Sequence, residues 1–394
     1  MPHEVDGQVH WHEPAGLSAA GVSRFLRPAL PYDRYMDSEG VPVLRAMAVP
    51  VLADVARAPW RRLGGAGAFL QMFGTEGALG CAVIEIPASG VLRAEKHLFE
   101  EIVLVLSGRG TTEIWLEDAG RRVMFEWQAG SLFAIGANAV HRMVNAGPAP
   151  ALLLSGTNAP ALLNLVGDVD AVFANPFVFA SQLDDETGQA FDDVEPDPVR
   201  GLALCRTNLV PDVVGCDLPL DNRFSPGYRQ LALGMTSAAM ACSVGEHRPG
   251  RYAKAHLLPA STVMVGLRGT GFSYLWPERL GPLPWAAGSG DGVIRVDHAA
   301  HSVMAAGPGG GRWYHQMFNT GSVPLRHLTW GVPERPAGPP GEEMRDDSTV
   351  LRGEGGSMIG YPQEDPFVRR DYARRLAEAG LVNRMRDDDY ADDA

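Results

Sequence analysis

The chain has 394 residues, 45% hydrophobic and 21% charged, a globular balance with room for two or three domains. Its formal net charge of −13 argues against a nucleic-acid or anionic-membrane partner, and no apolar run approaches the length of a membrane span. A small-molecule substrate is the expected partner, and a homo-oligomer is compatible with the sequence.

Four widely spaced cysteines, Cys81, Cys205, Cys216 and Cys242, contain no CxxC pair. They read as small buried apolar groups in a reducing compartment, not as a disulfide framework. The start, Met1-Pro2-His3-Glu4, has no basic and apolar leader, so a cytoplasmic location is expected. Glycine at 46 and proline at 30 are scattered between short apolar runs, which suits tight turns and an all-β body.

Residues 1–65 read as an irregular N-terminal arm, broken by Pro28, Pro31, Pro42, Pro50 and Pro59, with room for a short helix around Val51–Ala58. The His10-Trp11-His12 triplet lies in this arm, on a segment too loose to hold a metal. Residues 66–160 form a first domain of consecutive strands: Ala82–Ile86, Ile102–Leu106, Thr112–Leu116, Val123–Trp127, Ser131–Ile135, Arg142–Val144 and Leu152–Leu154. Turn signals such as Ser107-Gly108-Arg109-Gly110 and Ala146-Gly147-Pro148 separate them. Strands at this spacing predict a barrel or sandwich.

Residues 161–235 read as a connector with a helix near Ala161–Phe173 and acidic loops at Asp184–Glu186 and Asp192–Glu195. Residues 236–335 repeat the first domain: Gly269-Thr270-Gly271 echoes Gly108-Arg109-Gly110, and His315 through Asn319 and Gly321 echoes His141 through Asn145 and Gly147. The period of about 160–175 residues is too long for a solenoid and marks two homologous domains. The second copy carries an insertion around Arg279–Gly292. Residues 336–394 form a tail with one helix, Phe367–Ala379, capped by Asp365 and Pro366 and stopped at Gly380. The acidic end, Asp387–Asp393, reads as solvated and frayed.

The chemistry concentrates between Gly90 and Asn145. Glu95 and His97 are two apart in an extended run, so they share a face. Glu101 follows four residues after His97, and His141 stands five residues beyond Gly136. Two imidazoles and two carboxylates suit Fe(II), Mn(II), Ni(II) or Zn(II) and not a thiolate or Ca²⁺ site. Four such ligands on an octahedral ion leave two positions open, as in a catalytic site.

These spacings resemble the two motifs of the cupin superfamily. The segment Glu95-Lys96-His97-Leu98-Phe99-Glu100-Glu101 is similar to that of a group of bacterial bicupins with some likeness to cupin dioxygenases. The resemblance implies two tandem cupin barrels (double-stranded β-helix, or jelly-roll), with His97, Glu101 and His141 as metal ligands. Three positions depart from the pattern: Glu95 stands for a histidine, Gly136 for the proline and Asn138 for a glycine. Glu95 is therefore read both as a fourth ligand and as a catalytic base. In the second domain, His256 falls where Glu95 does, Leu258 where His97 does, Thr262 where Glu101 does, and His315 matches His141. This two-histidine remnant is expected to stay empty, with His298 and His301 nearby as ordinary histidines and Trp313, Tyr314, Phe318 and Trp330 filling the barrel.

The resemblance implies an Fe(II) dioxygenase first, with Mn(II), Ni(II) or Zn(II) as other ions. A redox-neutral isomerase, cyclase, decarboxylase or lyase, or a non-catalytic binder, are the other readings. Phe99, Leu104, Phe133, Ile135 and Met143 are expected to line the pocket. Asn145 is expected to hold the turn after His141, and Arg142 to face away from the site.

Overall fold

The computed structural model describes residues 3–5, 8–10, 29–116, 122–179, 191, 193–196, 202–235, 240–258, 261–308, 310–332 and 347–391. Trp11, His12 and the acidic run Asp184–Glu186 lie outside them. Strands dominate, and no helix among the described residues is long and apolar enough to cross a membrane.

Each half of the chain pairs a large sheet with a small one. In the first half the large sheet runs from Leu209–Val210 through Leu132–Ile135, Glu101–Ser107, Ala151–Thr157, Gly80–Ile86 and Gly65–Met72 to Val43–Ala46, with Ala58–Trp60 also on Gly65–Met72. The small sheet is Arg122–Gln128, Arg109–Trp115 and Val140–Asn145. In the second half the large sheet runs from Val194–Pro196 through Ala203–Arg206, Arg229–Gly234, Ala241–His247, Leu325–Gly331, Thr262–Arg268 and Val303–Ala305 to Ala48–Val49. The small sheet there is His256–Leu258, Trp313–Asn319, Gly271–Pro277 and Ile294–His298. This is the all-β, double jelly-roll fold of a bicupin.

The expected strands all form, most of them one to three residues longer than the apolar runs suggest. The arm contains more order than its prolines imply. It holds the helix Pro31–Ser38 and short strands at Val43–Ala46, Ala48–Val49 and Ala58–Trp60, while Val51–Ala58 gives only the single 3₁₀ turn Leu52–Asp54. Val43–Ala46 runs parallel to Gly65–Met72, and Ala203–Arg206 runs parallel to Arg229–Gly234. The next strand of each segment crosses over: Ala48–Val49 joins the second barrel and Leu209–Val210 joins the first. The connector helix divides at Gly167, which takes φ 74° to cap Ala159–Val166 before Val169–Phe173 begins.

The two large sheets share one core. Leu70, Val83, Leu104, Leu154, Val244, Val265, Leu328 and Trp330 belong to it. Trp330 presses against Gly156, where a Cβ would stand 2.7 Å from the indole. Strands buried on both faces read as continuous apolar runs, and Ile102–Leu106 is such a run. Ile102, Leu104 and Leu106 enter the shared core, whereas Val103 and Val105 enter the first barrel with Phe133, Met143 and Leu153.

Asn145 ties its turn as expected: its side-chain amide donates to Ile86, Pro87 and Ala149 carbonyls and its carbonyl accepts from Gly147 N. Asn319 repeats the pattern with His247, Val323 and Gly321, so the duplication holds at single-bond detail. Arg142 faces out and pairs with Glu113 on the neighbouring strand at 3.0 Å.

The tail helix spans Pro366–Glu378 and lies against the small sheet of the second barrel, where Tyr314 and Phe318 pack with Tyr372 and Leu376. Those two aromatics therefore face the tail and Trp330 faces the shared core, so of the four expected in the second barrel Trp313 alone packs there, against Leu275 and Met317. Asp389, within the acidic end, is buried and takes hydrogen bonds from Arg251 and Arg386. Glu364 accepts from the Tyr252 hydroxyl at 2.5 Å and from Gln316 at 3.2 Å. Burial pushes its carboxyl up to about 7. The folded state therefore holds this proton more tightly than the unfolded chain, and the stability it lends is complete below the ordinary carboxyl range and lost as pH rises through about 7. The unfolding midpoint is expected to fall between pH 5 and pH 8, and Glu364→Gln to flatten that part of the profile in a thermal-melt series.

Candidate metal centre

The site lies inside the first barrel between its two sheets. Glu95 is zipped to His141 by two backbone hydrogen bonds, Glu95 N to His141 O at 3.0 Å and His141 N to Glu95 O at 2.9 Å. Glu101 opens the strand Glu101–Ser107 and faces inward with Val103 and Val105, by the two-residue alternation of a strand. The four residues singled out from the sequence are thus brought together.

His97 Nδ1 lies 2.8 Å from the Phe99 carbonyl, and the ring stacks on Phe99 with centroids 3.7 Å apart. His141 Nδ1 lies 3.2 Å from the Ala139 carbonyl. With both Nδ1 atoms donating to carbonyls, both Nε2 atoms present lone pairs to the cavity. His97 Nε2 stands 3.6 Å from Glu101 Oε2, and His141 Nε2 stands 3.7 Å from Glu95 Oε1 and from Glu101 Oε2. Donor atoms of Glu95, His97 and His141 all lie within 4.8 Å of one another. Ser155 donates to Glu101 Oε1, while Glu101 Oε2 and His141 Nε2 are buried with no hydrogen-bond partner. Buried polar atoms are normally satisfied, and a convergent set of two imidazoles and two carboxylates fits a divalent cation.

Asn138 shows why the cupin pattern has a glycine there. It takes φ 59°, which asparagine tolerates better than most residues. Its backbone N–H donates to the His97 carbonyl at 2.6 Å, and its side chain donates to Asn175 and Phe177 carbonyls.

The arm supplies what the motifs do not contain. Arg62 reaches in, pairs with Glu95 Oε2, donates to Glu39 at 2.8 Å and to the Tyr35 hydroxyl at 2.9 Å. Its guanidinium lies over Phe173, 4.9 Å from the ring centre. Burial pushes the Glu95 carboxyl up, but Arg62 and the two imidazoles outweigh it and hold the group at about 2. Burial likewise opposes the charged forms of Glu101 and His141. The neighbouring His97 nevertheless lowers Glu101, and Glu95 and Glu101 raise His141.

The cavity measures about 40 Å³, space for about three waters. Tyr35, Arg62, Glu95, Glu101, Ser155 and Thr157 are among its lining residues. Of the apolar residues expected there, Phe99 lines it. Phe133, Ile135 and Met143 instead pack in the barrel core, and Leu104 points into the core shared between barrels.

The fold and the placement of the motifs are those of a bicupin, and the first barrel brings together a convergent set of metal-type donors. No family model matches the chain, and no curated protein matches it. Solved structures of oxalate decarboxylase do. A mutant of the Bacillus subtilis enzyme, and the same enzyme in a study of its Mn(II) centres, each share 14% identity and a TM-score of 0.47 over 74% of this chain and 78% of theirs. Another variant shares 13% identity and a TM-score of 0.45 over 73% of this chain and 77% of its own. At that distance the likeness carries no argument about metal, substrate or reaction, and the site stands on this chain's own side chains.

Arg62→Met leaves Glu39 and Glu95 without their shared cation. The metal-free variant is expected to lose roughly 2–3 kcal/mol of stability, read as a lower denaturant midpoint, with the charge-matched Arg62→Lys losing less.

Proposed function

We propose that the first barrel is a metal-dependent catalytic site acting on a small carboxylic acid by redox-neutral chemistry, in the class of isomerases, cyclases, decarboxylases and lyases. His97, Glu101 and His141 are its metal ligands in this reading, with Glu95 as a fourth ligand or as the proton carrier. The observation that carries it is Arg62, a fixed guanidinium set inside the cavity directly against the donor cluster. A planar guanidinium binds a carboxylate through two parallel hydrogen bonds. The Tyr35 hydroxyl beside it is a second polar contact. When bound, a divalent ion polarises a carbonyl or carboxylate oxygen and stabilises an enolate.

Glu95 touches both Arg62 and the imidazoles. It therefore serves either as a ligand or as the group that carries a proton to and from the substrate. Ser155 holds Glu101 in place through Oε1, which leaves Oε2 facing the two imidazoles. Phe99 stacks on His97 and fixes its ring. An Fe(II) dioxygenase uses the same donors. The redox-neutral reading is favoured because a guanidinium stands directly against the donors, in a cavity whose remaining walls are largely apolar and aromatic, Trp60, Leu63, Phe69, Ile84 and Phe99 among them. Oxygen uptake by Fe(II)-loaded protein would restore the dioxygenase reading.

Elemental analysis of protein purified without added metal is expected to give about one divalent ion per chain fewer in His97→Ala and His141→Ala than in the wild type. In Glu95→Gln, loss of that ion marks a ligand, and retention marks a proton carrier. Oxalate, the smallest dicarboxylate, is expected to raise the melting temperature of the metal-loaded wild type and not of Arg62→Met. A first barrel that stays vacant under saturating iron, manganese, nickel and zinc overturns the proposal.

A further inference from the structure

The interior of the second barrel is furnished with histidine. The remnant expected from the motifs was His256 and His315. Three more imidazoles share the space: His298 on Ile294–His298, His247 on Ala241–His247 and His327 on Leu325–Gly331. All five are buried. Strand alternation explains the convergence. Val244 and Leu328 enter the core shared between barrels, so His247 and His327, odd where those are even, turn inward. Phe272, Tyr274, Tyr314 and Phe318 pack toward the tail, so Ser273 and His315 turn inward from the opposite wall. His301 stands apart, on a turn with φ 62°.

The rings are arranged in contact. Ser273 Oγ bridges His298 Nε2 at 2.8 Å and His315 Nε2 at 2.9 Å. His256 lies edge-on to His315 with ring centres 5.6 Å apart, and His247 stacks parallel to His327 at 5.8 Å. Two nitrogens, His315 Nδ1 and His327 Nδ1, are fully buried with no hydrogen-bond partner. The Ser273 hydroxyl can satisfy only one nitrogen of His315, so the other stays orphaned in either tautomer. Such an atom is costly to leave unpaired, and two in one chamber point to an occupant. Burial lowers the proton affinity of His247, His298, His315 and His327, and mutual repulsion adds to it for His247, His315 and His327.

We propose that the second barrel binds a d-block divalent cation through imidazole nitrogens alone, with His315 and His327 as the principal donors and His256 and His298 completing the set. No buried carboxylate is found among these rings in the described residues. An all-imidazole set suits Zn(II), Ni(II) and Cu(II) and disfavours Mn(II) and Mg(II), which separates this site from the mixed set of the first barrel. Among the described residues only Glu95, His97 and His141 bring three donor atoms within 4.8 Å of one another, so the histidine chamber is wider and must draw inward to grip an ion.

The test uses the full chain with His97→Ala and His141→Ala, which removes two donors of the first barrel and leaves the second intact. This variant is titrated with Cu(II), followed by electron paramagnetic resonance, and with Zn(II) and Mn(II) by calorimetry. The expected result is about one Cu(II) per chain with nitrogen hyperfine splitting, about one Zn(II), and no Mn(II). Adding His315→Gln and His327→Gln is expected to abolish uptake while the melting curve still shows one cooperative transition. Absence of Cu(II) and Zn(II) binding in the first variant overturns the proposal, as does binding that the glutamine pair leaves unchanged. Because the first barrel is already disabled, neither outcome bears on its own metal.

Discussion

The packing of the two large sheets against each other governs everything else in this molecule. A strand with one face in that shared core has no freedom to slip, because a shift of one residue would exchange its two faces. Glu101–Ser107 and Ala151–Thr157 are both in this position. Leu104 and Leu154 anchor them on one side, and so Glu101 and Ser155 are delivered to the other, where the hydroxyl of one holds the carboxylate of the other. The site is placed by hydrophobic burial and only then furnished with charge.

That charge is closely balanced. Two carboxylates, two imidazoles and one guanidinium meet in a small buried space. Isolated charges there are costly, whereas paired ones are tolerated. Arg62 compensates Glu95 and Glu39 together, and aromatic rings from the arm and connector enclose it. The histidine chamber of the second barrel follows the opposite rule. It contains no carboxylate among the described residues, and burial disfavours the charged form of His247, His298, His315 and His327. A single duplicated scaffold thus carries one charged interior and one uncharged interior.

Much of this was legible beforehand. The strands, the duplication, the tail helix and the convergence of Glu95, His97, Glu101 and His141 follow from alternation, turn residues and motif spacing. Two things were not. Arg62 and Tyr35 sit in a proline-broken segment with no periodicity, and only three-dimensional strand pairing carries them to the cavity. His247 and His327 fall outside the motif positions, and their inward direction depends on which face of each strand meets the shared core. Ser155 was within reach: it is a hydroxyl on the inward face of the run Leu152–Ser155 and pairs in register with Val103. Of the aromatics assigned to the second barrel, Trp313 does pack there, beside Leu275 and Met317, whereas Tyr314 and Phe318 lie under the tail, which makes the outer face of the small sheet a core as well, and Trp330 joins the shared core.

The crossing of Ala48–Val49 into one barrel and Leu209–Val210 into the other makes the duplication a reciprocal clasp. Cutting the gene between the repeats would strip a border strand from each product, exposing unpaired amides and carbonyls that invite sheet-to-sheet aggregation. The halves are therefore bound to inherit, evolve and denature as one unit. An inactive or differently loaded second barrel could not be discarded without uncovering the edge of the first.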